Sequence, residues 1–172
     1  MIDYYENIVH EKFIDEINEY VEFKKNNTGE WRTSLYWPEN IKKTSSVVPI
    51  LSLEHIPDIK NYLKKIYARL VPETEKLDIK ISYYLWGPLS YIPFHRDEKR
   101  LVTSTIYLNK VWDIDHGGFF MYINDGKYYA IPPKYNSCVI NTKNLLHGTT
   151  LTTTDAPFRK TLQIFFHKRT EK

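Results

Sequence analysis

The stretch "PFHRDEKR" at 93–100 sets His95 and Asp97 two positions apart. In an extended chain, residues i and i+2 share a face, so this imidazole and this carboxylate would project side by side. Both groups can ligate a metal ion without help from a thiolate. A second histidine, His147 in "NLLHGTT", follows a strand-like segment much later in the chain. Two ligands from one strand and a third from a later one is the pattern of the 2-His-1-carboxylate face. It covers one side of an octahedral Fe(II) and leaves the opposite positions open. The His-x-Asp triplet taken alone reads better as a charged, solvated turn.

Arg159 shifts that balance. It opens "RKTLQIFF", on the polar-aromatic face of a segment with period-two alternation. A guanidinium turned into a cavity needs an anion, and its planar fork matches a carboxylate in a bidentate pair. An exposed arginine at a strand end is an equal alternative on the sequence pattern. Tyr107 shares a cavity-side face and could add a phenol hydrogen bond. His116 in "DIDHGG", near Asp113 and Asp115, is the rival metal ligand, although the two glycines after it favour a turn. His10, His55 and His167 read as surface or capping residues.

These side chains need a β framework to bring them together. Strands are expected at 78–86, 101–108, 118–123, 127–131, 137–141 and 159–167, with "NDGK" as a hairpin turn and "PPKYN" as a second turn. In 78–86, Ile79, Ile81, Tyr83 and Leu85 oppose Lys80, Ser82, Tyr84 and Trp86. In 101–108, Val102, Ile106 and Leu108 oppose Thr103, Thr105 and Tyr107. In 159–166, Leu162, Ile164 and Phe166 oppose Arg159, Thr161, Gln163 and Phe165. Apolar faces suit packing on helices; polar-aromatic faces turned toward one another enclose a cavity. The first third reads helical, with apolar residues at helical spacing in "IVHEKFIDEINEYVEF" and a second helix from Pro57 to Leu70. "WRTSLYWP" and "SSVVPILSL" between them read as short extended segments. Short strands after leading helices imply a mostly β (α+β) chain, a sandwich or barrel-like roll with helices on one side.

Composition bounds the rest. A chain of 172 residues with 42% hydrophobic and 15% aromatic residues can bury one substantial core. The net charge of +3, with both signs interspersed, argues against a dedicated nucleic-acid binder. The single cysteine, Cys138, excludes an intrachain disulfide and a cysteine-based zinc site; it reads as a small core residue. With neither a signal-like N-terminus nor a membrane-length apolar run, the expected location is cytoplasmic. Oligomeric state is not legible.

"HRD … H … RKT" in a helix-flanked β-roll resembles the Fe(II)/2-oxoglutarate-dependent dioxygenases, in particular their prolyl-hydroxylase-like branch. "YLWGPLSYIPFHRD" resembles that branch's lead-in to His-x-Asp, and "VTSTIYLNKVWD" its second core strand. "GGFFMYIN" resembles its Gly-Gly strand, and "IPPKYNSCVINT" the strand after it. The likeness runs over roughly 78–168 in the family's order. It implies a double-stranded β-helix (jelly roll) core at 77–168, with helices and extended segments at 1–76 packed on one sheet in a single domain. His95, Asp97 and His147 would then hold Fe(II). Arg159 and Tyr107 would bind the distal carboxylate of 2-oxoglutarate, Tyr84 would line its pocket and Thr161 would touch it. The gap from His147 to Arg159 is longer than the family's, which makes Lys160 the alternative anchor. Tyr91 stands four residues before His95 where the family often has three, so its role stays open.

The reaction implied is hydroxylation of an unactivated C–H coupled to conversion of 2-oxoglutarate and O2 to succinate and CO2, with ascorbate as candidate reductant. Asp97 favours hydroxylation over halogenation, in which related enzymes replace the carboxylate. Phe165, where alkylation-repair relatives carry a second arginine, counts against nucleic-acid repair. A prolyl residue in a peptide or protein is the first expectation for substrate, and a small molecule the second. Substrate contacts are expected from 27–46 (Trp31, Arg32, Tyr36, Trp37) and 109–117 (Trp112). The competing readings are a non-catalytic β-roll binding a carboxylate or sugar, and a cupin-type metal isomerase.

Overall fold

The computed structural model describes residues 1–26, 28–34, 47–97 and 100–169. In chain order the elements are β1 (Ile2–Glu6), α1 (Glu11–Lys24), β2 (Trp31–Thr33), β3 (Pro49–Ser52), α2 (Pro57–Leu70), β4 (Asp78–Trp86), β5 (Ile92–His95), β6 (Val102–Tyr107), β7 (Phe120–Asn124), β8 (Lys127–Ile131), β9 (Ser137–Asn141), β10 (His147–Thr149) and β11 (Arg159–His167). Two antiparallel sheets form the jelly roll. The larger has the order β1-β9-β6-β11-β4-β3-β2, the smaller β5-β10-β7-β8. Among the described residues no helix is long and apolar enough to cross a membrane.

The alternation in the three long strands is what divides core from cavity. Ile79, Ile81 and Tyr83 of β4, Ile106 of β6, and Leu162, Ile164 and Phe166 of β11 are buried in one cluster with Phe13, Ile14 and Ile17 of α1 and Leu63 of α2. Each such side chain stabilises by about 1.5–3 kcal/mol on leaving water, so the helices are held chiefly by this face. Tyr67 of α2 is fully buried there, and its hydroxyl lies 2.7 Å from Ser104 Oγ and 3.4 Å from Cys138 Sγ. Cys138 is a core residue, its thiol pushed up to about 11 by burial.

The hairpin turn at 124–127 has Asp125 at φ 50° and Gly126 at φ 73°, the left-handed pair that a two-residue hairpin requires. The N-terminal third is less helical than its periodicity suggests. Ile2–Glu6 is an edge strand on β9, and α1 begins at Glu11 instead of near Ile8. Asn136 explains the late start. Its side chain accepts from the Val9 N–H at 3.1 Å and donates to the Val9 carbonyl at 2.7 Å, which keeps this segment extended. Within "WRTSLYWP" only Trp31–Thr33 is strand; 35–46 lies outside the described residues.

Candidate metal centre

His95 ends β5 and His147 begins β10, and the two are register partners in the smaller sheet. Their rings lie 4.5 Å apart, and Asp97, just beyond β5, turns back between them. Asp97 Oδ2 is 3.3 Å from His147 Nε2, and Oδ1 is 3.7 Å from His95 Nε2. One ligand atom from each residue lies within 4.8 Å of the other two. Among the described residues this is the one group of three or more His, Cys, Asp or Glu side chains so placed.

The backbone sets which nitrogen faces the centre. Nδ1 of His95 lies 2.9 Å from the Pro93 carbonyl, and Nδ1 of His147 lies 2.9 Å from the Leu145 carbonyl. A carbonyl only accepts, so each Nδ1 donates and each Nε2 is the nitrogen turned to the centre, donating to the Asp97 carboxylate when protonated and open to a cation when not. The Asp97 N–H donates to Asn144 Oδ1 at 2.8 Å, while Arg96 donates to the Asn144 carbonyl at 2.5 Å. Asn141 accepts from the Leu145 N–H at 3.0 Å and so closes the loop that delivers His147. Phe120 stacks on His147 at 5.4 Å.

Burial by itself would raise the Asp97 carboxyl, but hydrogen bonds from His147 and His95 outweigh it and hold the group well below the usual carboxylate range. Burial pulls His95 down; the Asp97 carboxylate and the Pro93 carbonyl overcome that and raise it. An ionised, largely buried carboxylate between two Nε2 atoms calls for a cation. Two imidazoles and one carboxylate suit Fe(II) better than the all-oxygen shell preferred by Mg(II) or Ca(II).

A cavity of about 370 Å³ runs from this centre along the inner face of the larger sheet. Arg159, on β11 in the cavity wall, is 2% exposed. Its Nη1 donates to the Gly118 carbonyl, its guanidinium lies 5.1 Å from the Trp86 ring, and its Nε has no hydrogen-bond partner. No carboxylate among the described residues lies within ion-pair distance of it. Gly118, at φ 70°, makes room for it: a Cβ there would sit 2.5 Å from Arg159 Nη1. Tyr107, Tyr84 and Thr161 line the same cavity. Thr161 Oγ1 accepts from Trp86 Nε1 at 3.0 Å, and burial pushes the Tyr107 phenol up to about 12.

Other residues singled out in the sequence lie elsewhere. Lys160 is on the opposite face of β11 from Arg159, with its backbone N–H donating to Asn109 Oδ1 at 2.7 Å. Tyr91 is half-buried and off the cavity wall. His116 packs edge-on against Trp112 at 5.6 Å in a turn apart from the triad, and Trp112 Nε1 donates to the Gly117 carbonyl. Trp31 packs on the core side, edge-on to Tyr83, and donates to the Lys24 carbonyl, whereas its neighbour Arg32 lines the cavity. Tyr36 and Trp37 lie outside the described residues. Sequence reasoning missed Gly118, Asn141 and Asn144. Only "GGFF" carried a hint, as a glycine pair that opens a strand.

No family model matches the chain, and no curated protein does either. Solved structures match over nearly its whole length. A prolyl-4-hydroxylase from Pseudomonas putida superposes with a TM-score of 0.76 at 15% identity, covering 98% of this chain and 93% of that one. A prolyl hydroxylase from Trichoplax adhaerens, in complex with a hypoxia inducible factor peptide fragment, gives 0.73 at 16% identity, covering 97% and 83%. HygX from Streptomyces hygroscopicus, with nickel and 2-oxoglutarate bound, gives 0.68 at 10% identity, covering 97% and 82%. The chain has the jelly-roll fold that these proteins share.

Proposed function

We propose that this chain, built on the prolyl-hydroxylase fold, is an Fe(II)- and 2-oxoglutarate-dependent dioxygenase. Its first substrate class is a prolyl residue in a peptide or protein. One observation carries the reading: a buried guanidinium, its Nε unpartnered, lines the same cavity as a His-Asp-His cluster. A cation site and a carboxylate receptor sharing one cavity match the two ends of a 2-oxo diacid. Arg159 is the anchor, since Lys160 faces away from the cavity. The peptide complex of the Trichoplax neighbour and the nickel and 2-oxoglutarate of HygX support the same reading.

His95, Asp97 and His147 would hold the iron, and the Pro93 and Leu145 carbonyls fix which ring nitrogen they offer. Arg159 would pair with the distal carboxylate, flanked by Tyr107 and Thr161, while Trp86 and Tyr84 wall the cosubstrate from water. The iron and cosubstrate together supply the oxidation, converting 2-oxoglutarate and O2 to succinate and CO2 as oxygen is delivered to carbon.

Anaerobic addition of Fe(II) and 2-oxoglutarate is expected to produce the weak visible absorption of the chelate and to raise the melting temperature. Oxygenation with a prolyl peptide and ascorbate should then release succinate. A silent spectrum with an unmoved melting temperature would leave the cavity as a simple carboxylate- or sugar-binding site.

A further inference from the structure

The mouth of the cavity has a chemistry that neither the triad nor Arg159 explains. Lys80, on β4, is the register partner of Phe165 on β11, and the Arg100 guanidinium lies 5.2 Å from the same Phe165 ring. A hydrogen bond from the Leu101 N–H to the Phe166 carbonyl ties Arg100 to this end of the sheet. Arg96 projects between His95 and Asp97 in sequence, its guanidinium on the Asn144 carbonyl. Arg32 comes in from β2, at the sheet edge. All four line the cavity, whereas Asp97 is its one lining carboxylate among the described residues and is engaged by the histidines. No described Asp or Glu forms an ion pair with Arg32, Lys80, Arg96 or Arg100.

Cations around a low-dielectric cleft focus the field into it and raise the local concentration of anions. We infer that the mouth selects an acidic peptide, with Asp or Glu carboxylates flanking the residue presented to the metal centre. The inference rests on the proposed dioxygenase reading and specifies its substrate. A nucleic acid would need a track of cations along successive phosphates and bare aromatic faces for its bases. Here the cations surround one opening, and a guanidinium already covers the Phe165 ring.

The test uses the full chain loaded with Mn(II) and N-oxalylglycine, so that nothing turns over. The probes are fluorescein-labelled peptides of equal length with a central proline flanked by Glu, Ser or Lys, and a single-stranded oligothymidylate. By anisotropy the Glu peptide is expected to bind about tenfold tighter than the Ser peptide at low salt, and the gap should close as salt rises. Lys80→Glu/Arg100→Glu should abolish that preference, and Lys80→Gln/Arg100→Gln should weaken it. Lys65→Glu/Arg69→Glu, on α2, should leave it intact. Equal affinity for the Glu and Ser peptides, tighter binding of the oligonucleotide, or a preference that survives charge reversal at the mouth would each overturn the inference. The anaerobic spectrum separates the two failures. A normal chelate band with charge-blind peptide binding removes only this inference, and a missing band removes the dioxygenase reading.

Discussion

His147→Ala is expected to eliminate the anaerobic Fe(II)–2-oxoglutarate absorption and to lower succinate formation by about three orders of magnitude, because a metal face reduced to two donors neither holds nor orients its ion. The same change should leave the protein folded. His147 sits at the start of a three-residue strand, and the helix-clad core lies on the far side of the larger sheet. Asp97→Ala should behave alike, while His116→Ala, remote from the cluster, should change turnover by no more than about twofold. Metal content by elemental analysis alongside the spectrum decides the matter. A His147→Ala protein that still bound one equivalent of iron and showed the band would remove His147 from the centre.

Arg159→Met should move stability and cosubstrate affinity in opposite directions. A guanidinium buried with an unpartnered Nε and no carboxylate costs folding free energy, so a side chain of similar volume without charge is expected to hold or raise the melting temperature of the metal-free protein. Losing a charge-assisted fork should weaken 2-oxoglutarate binding by about 10- to 100-fold, read by titrating the chelate band. Lys160→Met should do neither. A residue whose work was structural would lower stability and leave affinity alone; that pattern would sink the assignment.

Two-faced strands were the legible part of this fold. β4, β6 and β11 alternate so cleanly that the odd and even positions named from sequence are the ones that divide core from cavity. The hairpin at Asp125-Gly126 was legible for a different reason, since few sequences tolerate two successive left-handed residues. β1 was not, because Ile2–Glu6 is a short edge strand whose pairing with β9 is a long-range contact that no local pattern encodes. Asn136, Asn141 and Asn144 were equally hidden. Each acts by hydrogen bonds to backbone distant in sequence or across a loop, and an asparagine in a loop looks the same whether it grips anything or not. The mouth was hidden too: Arg32, Lys80, Arg96 and Arg100 are scattered along the chain, and only the paired sheets gather them.

Two of the candidate ligands ride on the β5–β10 pair and the third lies just past β5, yet Arg159 belongs to β11 of the opposing sheet. A diacid gripped at both ends would therefore stretch from one layer of the sandwich to the other, and the width of the gap would act as a caliper for chain length. Under the proposed reading, a 2-oxo diacid one carbon shorter or longer would fit that gap less well, and sheet spacing would discriminate among 2-oxo acids alongside any single side chain.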